Sequence, residues 1–196
     1  SPRYSTIIQN NADISSPYLW YIGGINTNIN HMPQTTFEFS KQLIKGKVAE
    51  MIFEQMLREA GTFTILGFGY EKVLPELMHK QGEVRAKETM EVIRRAPDFA
   101  IIDNDTHEVH LVEVKFRAHN SVSDILDIAT KLHSSWKPAY LFLATPHGFY
   151  FGKASDIKNK EGHIYPLRTS YVSEELQEKY LELLNQFING DLVKIN

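Results

Sequence analysis

Apolar residues recur along this chain at two spacings, three-to-four and two, and the switches between them mark out its elements. From Glu38 to Ala60 the spacing is helical, and Gly61 follows as glycine often does after a last turn. Leu43, Ile44, Val48, Met51, Ile52, Phe53, Met56 and Leu57 occupy most of that helix's circumference, which predicts a helix sandwiched within the domain. Thr62 to Tyr70 reads as a strand. Residues 74–92 mix helix formers with Gly82 and read as an insertion. Two short apolar runs follow, roughly 97–103 and 109–117. The polar stretch Asp103-Asn104-Asp105-Thr106 turns the chain between them, predicting an antiparallel hairpin. Ser121 or Ser123 caps a one-faced helix carrying Ile125, Ile128, Ala129, Leu132 and Trp136, which Pro138 ends. Tyr140 to Ala144 and Phe149 to Gly152 are strands around a Pro146-His147-Gly148 turn. A last helix starts at Ser173, runs through Leu176, Tyr180, Leu183 and Phe187, and stops at Asn189-Gly190. Glu174 and Glu175 sit in its first turn, where the helix dipole favours acids.

The predicted order is helix, three strands, helix, strand, then extras. It implies an α/β fold with a mixed four- to five-stranded sheet flanked by helices. Residues 1–37 are rich in Asn, Ser and Gly, with an aromatic island at Tyr18-Leu19-Trp20-Tyr21. They predict an irregular N-terminal arm with one short strand or turn around 18–25. Residues 38–196 form one domain, with a core at about 38–152 and a C-terminal helical extension at 153–196.

Composition narrows the function. The chain has 196 residues, 42% of them apolar and 23% charged, as in an ordinary soluble globular protein with a real core. Its longest aliphatic-aromatic run, Ala139 to Ala144, is too short to cross a bilayer, and no signal-peptide pattern opens the chain, so an intracellular, cytoplasmic location is expected. Cysteine is absent, which excludes disulfides and thiolate metal sites. With 21 basic and 24 acidic residues the formal net charge is −3. That argues against a uniform basic coat for nucleic acid but leaves room for a local basic groove.

The candidate chemistry lies in the hairpin. Residues i and i+2 of a strand share a face. Glu113 and Lys115 therefore point one way, while Val112, Val114 and Phe116 point the other way into a core. Asp98 stands at the entrance of the first strand, after Pro97, which has no N–H to offer a sheet. Two carboxylates beside an ammonium on a rigid sheet can hold a divalent metal and a water beside a phosphate. Mg²⁺ suits this set because it takes one or two carboxylates from a protein and keeps several waters. Lys115 would lower the pKa of that water or stabilise the charged phosphorane. Taken singly, these residues have plainer readings: a turn residue, an ion-paired strand face, a surface helix acid. Pro-Asp occurs once in the chain, however. The other acid-x-Lys triplet, Asp156-Ile157-Lys158, falls in what reads as a polar turn.

Pro97-Asp98, a gap of 14 residues, then Glu113-Val114-Lys115 resembles the PD-(D/E)xK nuclease superfamily, whose restriction endonuclease-like core has the element order predicted above. Gly46-Lys47-Val48-Ala49-Glu50 is similar to the G-x-x-x-E setting in which members carry a further glutamate on the first core helix. The resemblance covers roughly residues 38–152. It implies a Mg²⁺- or Mn²⁺-dependent endonuclease of repair, recombination or restriction, hydrolysing DNA phosphodiester bonds to a 5′-phosphate and a 3′-hydroxyl. Asp98, Glu113 and the Val114 main-chain carbonyl would bind metal. Glu50 would support a second metal or a metal-bound water, with that water or Lys115 as its partner, and Lys115 would orient or activate the attacking water. Many relatives that cut duplexes are homodimers; here residues 74–92 or the final helix would supply the contact. A non-cleaving nucleic-acid-binding or assembly module of the same fold and an RNA endonuclease are the rival readings.

Weaker candidates surround this set. Arg117 shares the face of Glu113 and Lys115 and could meet a phosphate. Arg94 and Arg95 would lie at the mouth of the site, and Lys131 lies off the apolar stripe of its helix. Each could instead be a solvated cation, the reading favoured for Lys131. His107 and His110 sit in the hairpin with little to suggest a ligand role, and nothing local supports His31 or His79. Gly67-Phe68-Gly69 lacks the third glycine of a dinucleotide loop, and no phosphate loop, nucleophile elbow or zinc-protease motif is present.

Overall fold

The computed structural model describes residues 36–69, 92–93, 95–119 and 121–189. The aromatic island, the element expected around 18–25, most of the insertion at 74–92, His31, His79, Arg94 and Gly190 lie outside the described residues. The described chain runs through α1 (Thr36–Ala60), β1 (Phe63–Gly67), β2 (Phe99–Asp103), β3 (Val109–Phe116), α2 (Val122–Ser135), β4 (Ala139–Thr145), β5 (Gly148–Lys153), α3 (Ala154–Asn159) and α4 (Glu174–Asn189).

The five strands form one open mixed sheet in the order β1-β2-β3-β4-β5. β3 and β4 are parallel and the other neighbours antiparallel. The parallel pair needs a crossover, and α2 supplies it. At the end of α1, Gly61 takes a φ of +70° and returns its N–H to the Leu57 carbonyl at 3.1 Å, the left-handed stop that glycine allows without a Cβ clash. α2 starts as predicted, with the Ser121 hydroxyl as its cap.

Strand alternation sorts the core into two layers. On one face Val112, Val114, Phe116, Phe142 and Ala144 pack with Ile52, Phe53, Met56 and Leu57 of α1 and Tyr180 and Leu184 of α4. On the other, Leu141 and Leu143 pack with Ile125, Ala129 and Leu132 of α2 and Ala154 and Ile157 of α3. The outer edge of β5 is covered: Phe151 donates its N–H to the Tyr165 carbonyl and Leu167 donates its own to Phe149. That removes one unpaired edge from the sheet.

Three expectations change. First, α1 is not apolar all round in its setting, since Ile44 and Met51 are 61% and 63% exposed. Its buried stripe is Ala49, Ile52, Phe53, Met56 and Leu57, one face against the sheet. Second, the buried row of α4 is Tyr180 and Leu184, with Leu176 and Ile188 packed beside them, while Leu183 and Phe187 point outward. An i, i+4 row meets the neighbouring helix and sheet here, where the sequence suggested a broader stripe. Third, Asp156-Ile157-Lys158 is part of helix α3, not a polar turn: Ala154 and Ile157, three residues apart, are both buried. Among the described residues no helix is long and apolar enough to cross a membrane.

Candidate active site

β2 and β3 separate where the candidate residues lie. Their ladder ends at Phe99↔Val112. Continued by two residues, it would set Pro97 opposite Val114. The Val114 N–H instead donates to the Asp98 carboxylate, to Oδ2 at 2.8 Å. In an antiparallel ladder the N–H and C=O of one residue face the same neighbour. The Val114 carbonyl therefore faces the same gap, and Pro97 has no N–H with which to occupy it. A proline two residues ahead of β2 thus makes no ladder bond to the Val114 carbonyl beside that carboxylate.

Asp98 is held from two sides. Its side chain is fixed by β3, and its carbonyl accepts the N–H groups of Phe68 and Gly69 at 2.9 and 3.1 Å, just past the end of β1. Gly67-Phe68-Gly69, unpromising as a dinucleotide loop, positions the acid through the N–H groups of Phe68 and Gly69. The sequence carried that signal only as a glycine-flanked strand end.

Glu113 and Lys115 share the face of Leu111, which packs against the second core layer. The two form an ion pair, and the Glu113 side chain is only 18% exposed. Both faces of the sheet are covered, so the carboxylate lies at the margin of a buried layer rather than on an open one. Burial pushes its pKa up to about 7 against the pull of Lys115, and the negative charges of Asp98 and Glu50 push the same way. Glu50, on α1, is also raised, by burial first and then by Asp98. Its direct partner is Lys47, one turn earlier, at 2.7 Å. The sequence suggested Lys115 or a metal-bound water for that role; Lys115 acts on Glu50 through its field, a smaller influence than Lys47. The Lys-x-x-Glu spacing within residues 46–50 was the overlooked signal.

The structure thus brings Glu50, Asp98, Glu113 and Lys115 into one electrostatic neighbourhood, with three carboxylates against Lys115 and the half-exposed Lys47. The peripheral cations fare differently. Arg117 is paired with Asp124 in the first turn of α2 and also donates to the Phe116 carbonyl. Lys131 is paired with Asp127 at 2.6 Å on the exposed side of α2. Arg95 is exposed in the turn before Pro97. His110 packs edge-on against Tyr140, and His107 is exposed in the hairpin at a φ of +62°.

The donor set fits a hard divalent cation. Among the described residues no three His, Cys, Asp or Glu side chains form a ready-made cage. Mg²⁺ asks for less: one or two carboxylates, carbonyl oxygen and waters. Asp98, Glu113 and the Val114 carbonyl offer those, and a cation would relieve the mutual repulsion that adds to burial in raising Glu113 and Glu50. No protein-family model matches this sequence, and a comparison with curated proteins returns no match either.

Proposed function

We propose that this chain is a metal-dependent nuclease with a restriction endonuclease-like core, hydrolysing phosphodiester bonds in DNA. One observation carries the reading: Asp98 locked onto the Val114 N–H at the point where β2 leaves β3, with Glu113 and Lys115 on either side of Val114 and Glu50 within their field. The order α1-β1-β2-β3-α2-β4 beneath it supports the same reading.

Asp98, Glu113 and the Val114 carbonyl would hold Mg²⁺ or Mn²⁺, with Glu50 reaching it through water. The bound ion would neutralise charge on the phosphate and acidify a water. Lys115 orients that water and offsets the negative charge that builds on the phosphate oxygens. Lys47 holds Glu50 in place. The rigid sheet fixes these groups in advance of substrate, and such alignment is a large share of what hydrolysis requires.

The test uses the purified chain with labelled duplex, single-stranded and branched DNA and with RNA, in Mg²⁺, Mn²⁺ or EDTA. Cleavage of DNA with either metal and none in EDTA is expected. Asp98→Ala and Lys115→Met are each expected to lower the rate by about a hundredfold or more. Full activity in both variants would remove the assigned site. Binding without cleavage in every metal would leave a binding module, and cleavage confined to RNA would move the substrate class.

A further inference from the structure

The charge of this protein is unevenly placed. Residues 133–171 carry five lysines and arginines and two acids, in a chain that is acidic overall at −3. Four of those cations, Lys137, Lys153, Lys160 and Arg168, line two neighbouring hollows. One, of about 350 Å³, is lined by His133, Lys137 and Lys153 beside Pro138 and Ala139. The other, of about 540 Å³, is lined by Lys153, Lys160 and Arg168, with Asp156 as the acid in its wall. Lys153, at the junction of β5 and α3, lines both, so the hollows meet at this side chain and are taken together as one tract. None of the four candidate catalytic side chains lines either hollow.

The second hollow adds aromatic faces to the charge. Tyr140 and Phe151 stack at 5.4 Å with nearly parallel rings, and Tyr171 meets Phe151 edge-on. Tyr165 is 59% exposed, with the Lys160 ammonium 4.5 Å from its ring centre. An exposed tyrosine beside a lysine offers a planar, sequence-tolerant surface to a base and a charge to the phosphate next to it. Positive grooves that track a backbone, with aromatic rings set along them, are how single strands are held without reading sequence.

We propose that this tract binds a single-stranded polynucleotide, with Lys137, Lys153, Lys160 and Arg168 along its phosphates and Tyr165 stacked on a base. The proposal rests on the nuclease reading only in choosing a polynucleotide over other polyanions. It concerns a surface apart from the catalytic groups. The crowding of positive charge there has a second mark: His133 is held below its ordinary range by burial and by Lys137, Lys158 and Lys153.

The test is fluorescence anisotropy in EDTA, where cleavage cannot confuse binding. The probe is a labelled oligothymidylate of about 20 nucleotides, longer than the roughly 4–16 that one such groove covers. Lys153→Glu with Arg168→Glu should weaken binding at least about tenfold and lower the slope of log affinity against log salt by about 1.4, about 0.7 for each lost phosphate contact. Tyr165→Ala should weaken it about tenfold with the slope unchanged. Circular dichroism and melting temperature should match wild type, since all three side chains are exposed. Wild-type chain that does not bind the oligonucleotide would overturn the proposal. So would folded variants that bind as wild type does, or binding in which Tyr165→Ala has no effect and heparin competes equally, the mark of a generic polyanion patch. Asp98→Ala separates the two readings. If it keeps full cleavage while the tract variants lose binding, the assigned catalytic site falls and the tract stands.

Discussion

Replacing Glu113 by glutamine should make the metal-free protein more stable at alkaline pH while abolishing activity. The carboxyl is pushed from its ordinary 4.5 up to about 7, chiefly by burial. A carboxyl whose folded pKa stands above its unfolded value holds its proton more tightly in the folded state. Its contribution to stability is complete below about pH 4.5 and is lost as pH rises through about 7. Between about pH 5 and pH 8 the loss amounts to about 2–3 kcal/mol, at about 1.4 kcal/mol for each pH unit of difference between the two pKa values. Glutamine carries no charge to desolvate, and its amide oxygen can still accept from Lys115, which keeps Asp98 and Glu50 as counter-charges.

Urea unfolding in EDTA measures this directly. At pH 8 Glu113→Gln should be about 2–3 kcal/mol more stable than wild type, and at pH 5 the two should nearly coincide. Saturating Mg²⁺ or Mn²⁺ should reverse the order at pH 8. A ligand at a thousand times its dissociation constant adds about 4.1 kcal/mol to the chain that binds it, more than that difference, and the variant has lost one of the two carboxylates. A Glu113→Gln chain less stable than wild type at pH 8 in EDTA, or one with the same pH dependence, would refute the claim that this carboxylate is held ionised at a cost.

Asp98→Ala removes the acceptor of the Val114 N–H at the edge of a buried layer and should cost about 1–3 kcal/mol in chemical denaturation, besides its effect on cleavage. Gly162→Ala should be among the most damaging small changes: Gly162 has a φ of +94°, and an added Cβ would stand 2.2 Å from the Val122 carbonyl oxygen. A loss of at least about 2 kcal/mol is expected, and wild-type stability would mean that the turn after α3 does not press on α2 as described. Phe53→Ala empties the space between Phe99 and Phe142, whose rings stand 5.2 and 4.8 Å away. It should cost about 3–5 kcal/mol by thermal or urea unfolding.

The elements that carried a clean period were legible. The alternation of Val112, Val114 and Phe116 foretold which face of β3 enters the core with α1, and all three are buried there. The one-faced spacing of Ile125, Ala129 and Leu132 foretold α2 and the face it buries. Errors fell where local spacing leaves the outcome to neighbours. Ile44 and Met51 have the character of core residues, but nothing in the sequence tells which side of α1 the sheet will cover. Ile157 sits in a polar stretch whose helix is held by burial against α2 and β4, not by its own propensity.

The candidate site divides the same way. Sequence alone determined its ingredients: Asp98, Glu113 and Lys115 on two strands joined by a turn, and Glu50 on the preceding helix, because covalent spacing and strand period place those groups within a hairpin and a helix of known length. Only the tertiary structure decided their chemistry. It set the Asp98 carboxylate on the Val114 N–H, gave Glu50 to Lys47, took Arg117 to Asp124, and left Glu113 largely desolvated at the margin of a second layer. Hydrogen-bond partners and desolvation depend on which surfaces meet across the sheet. Those meetings join residues distant in the chain, which no local period records.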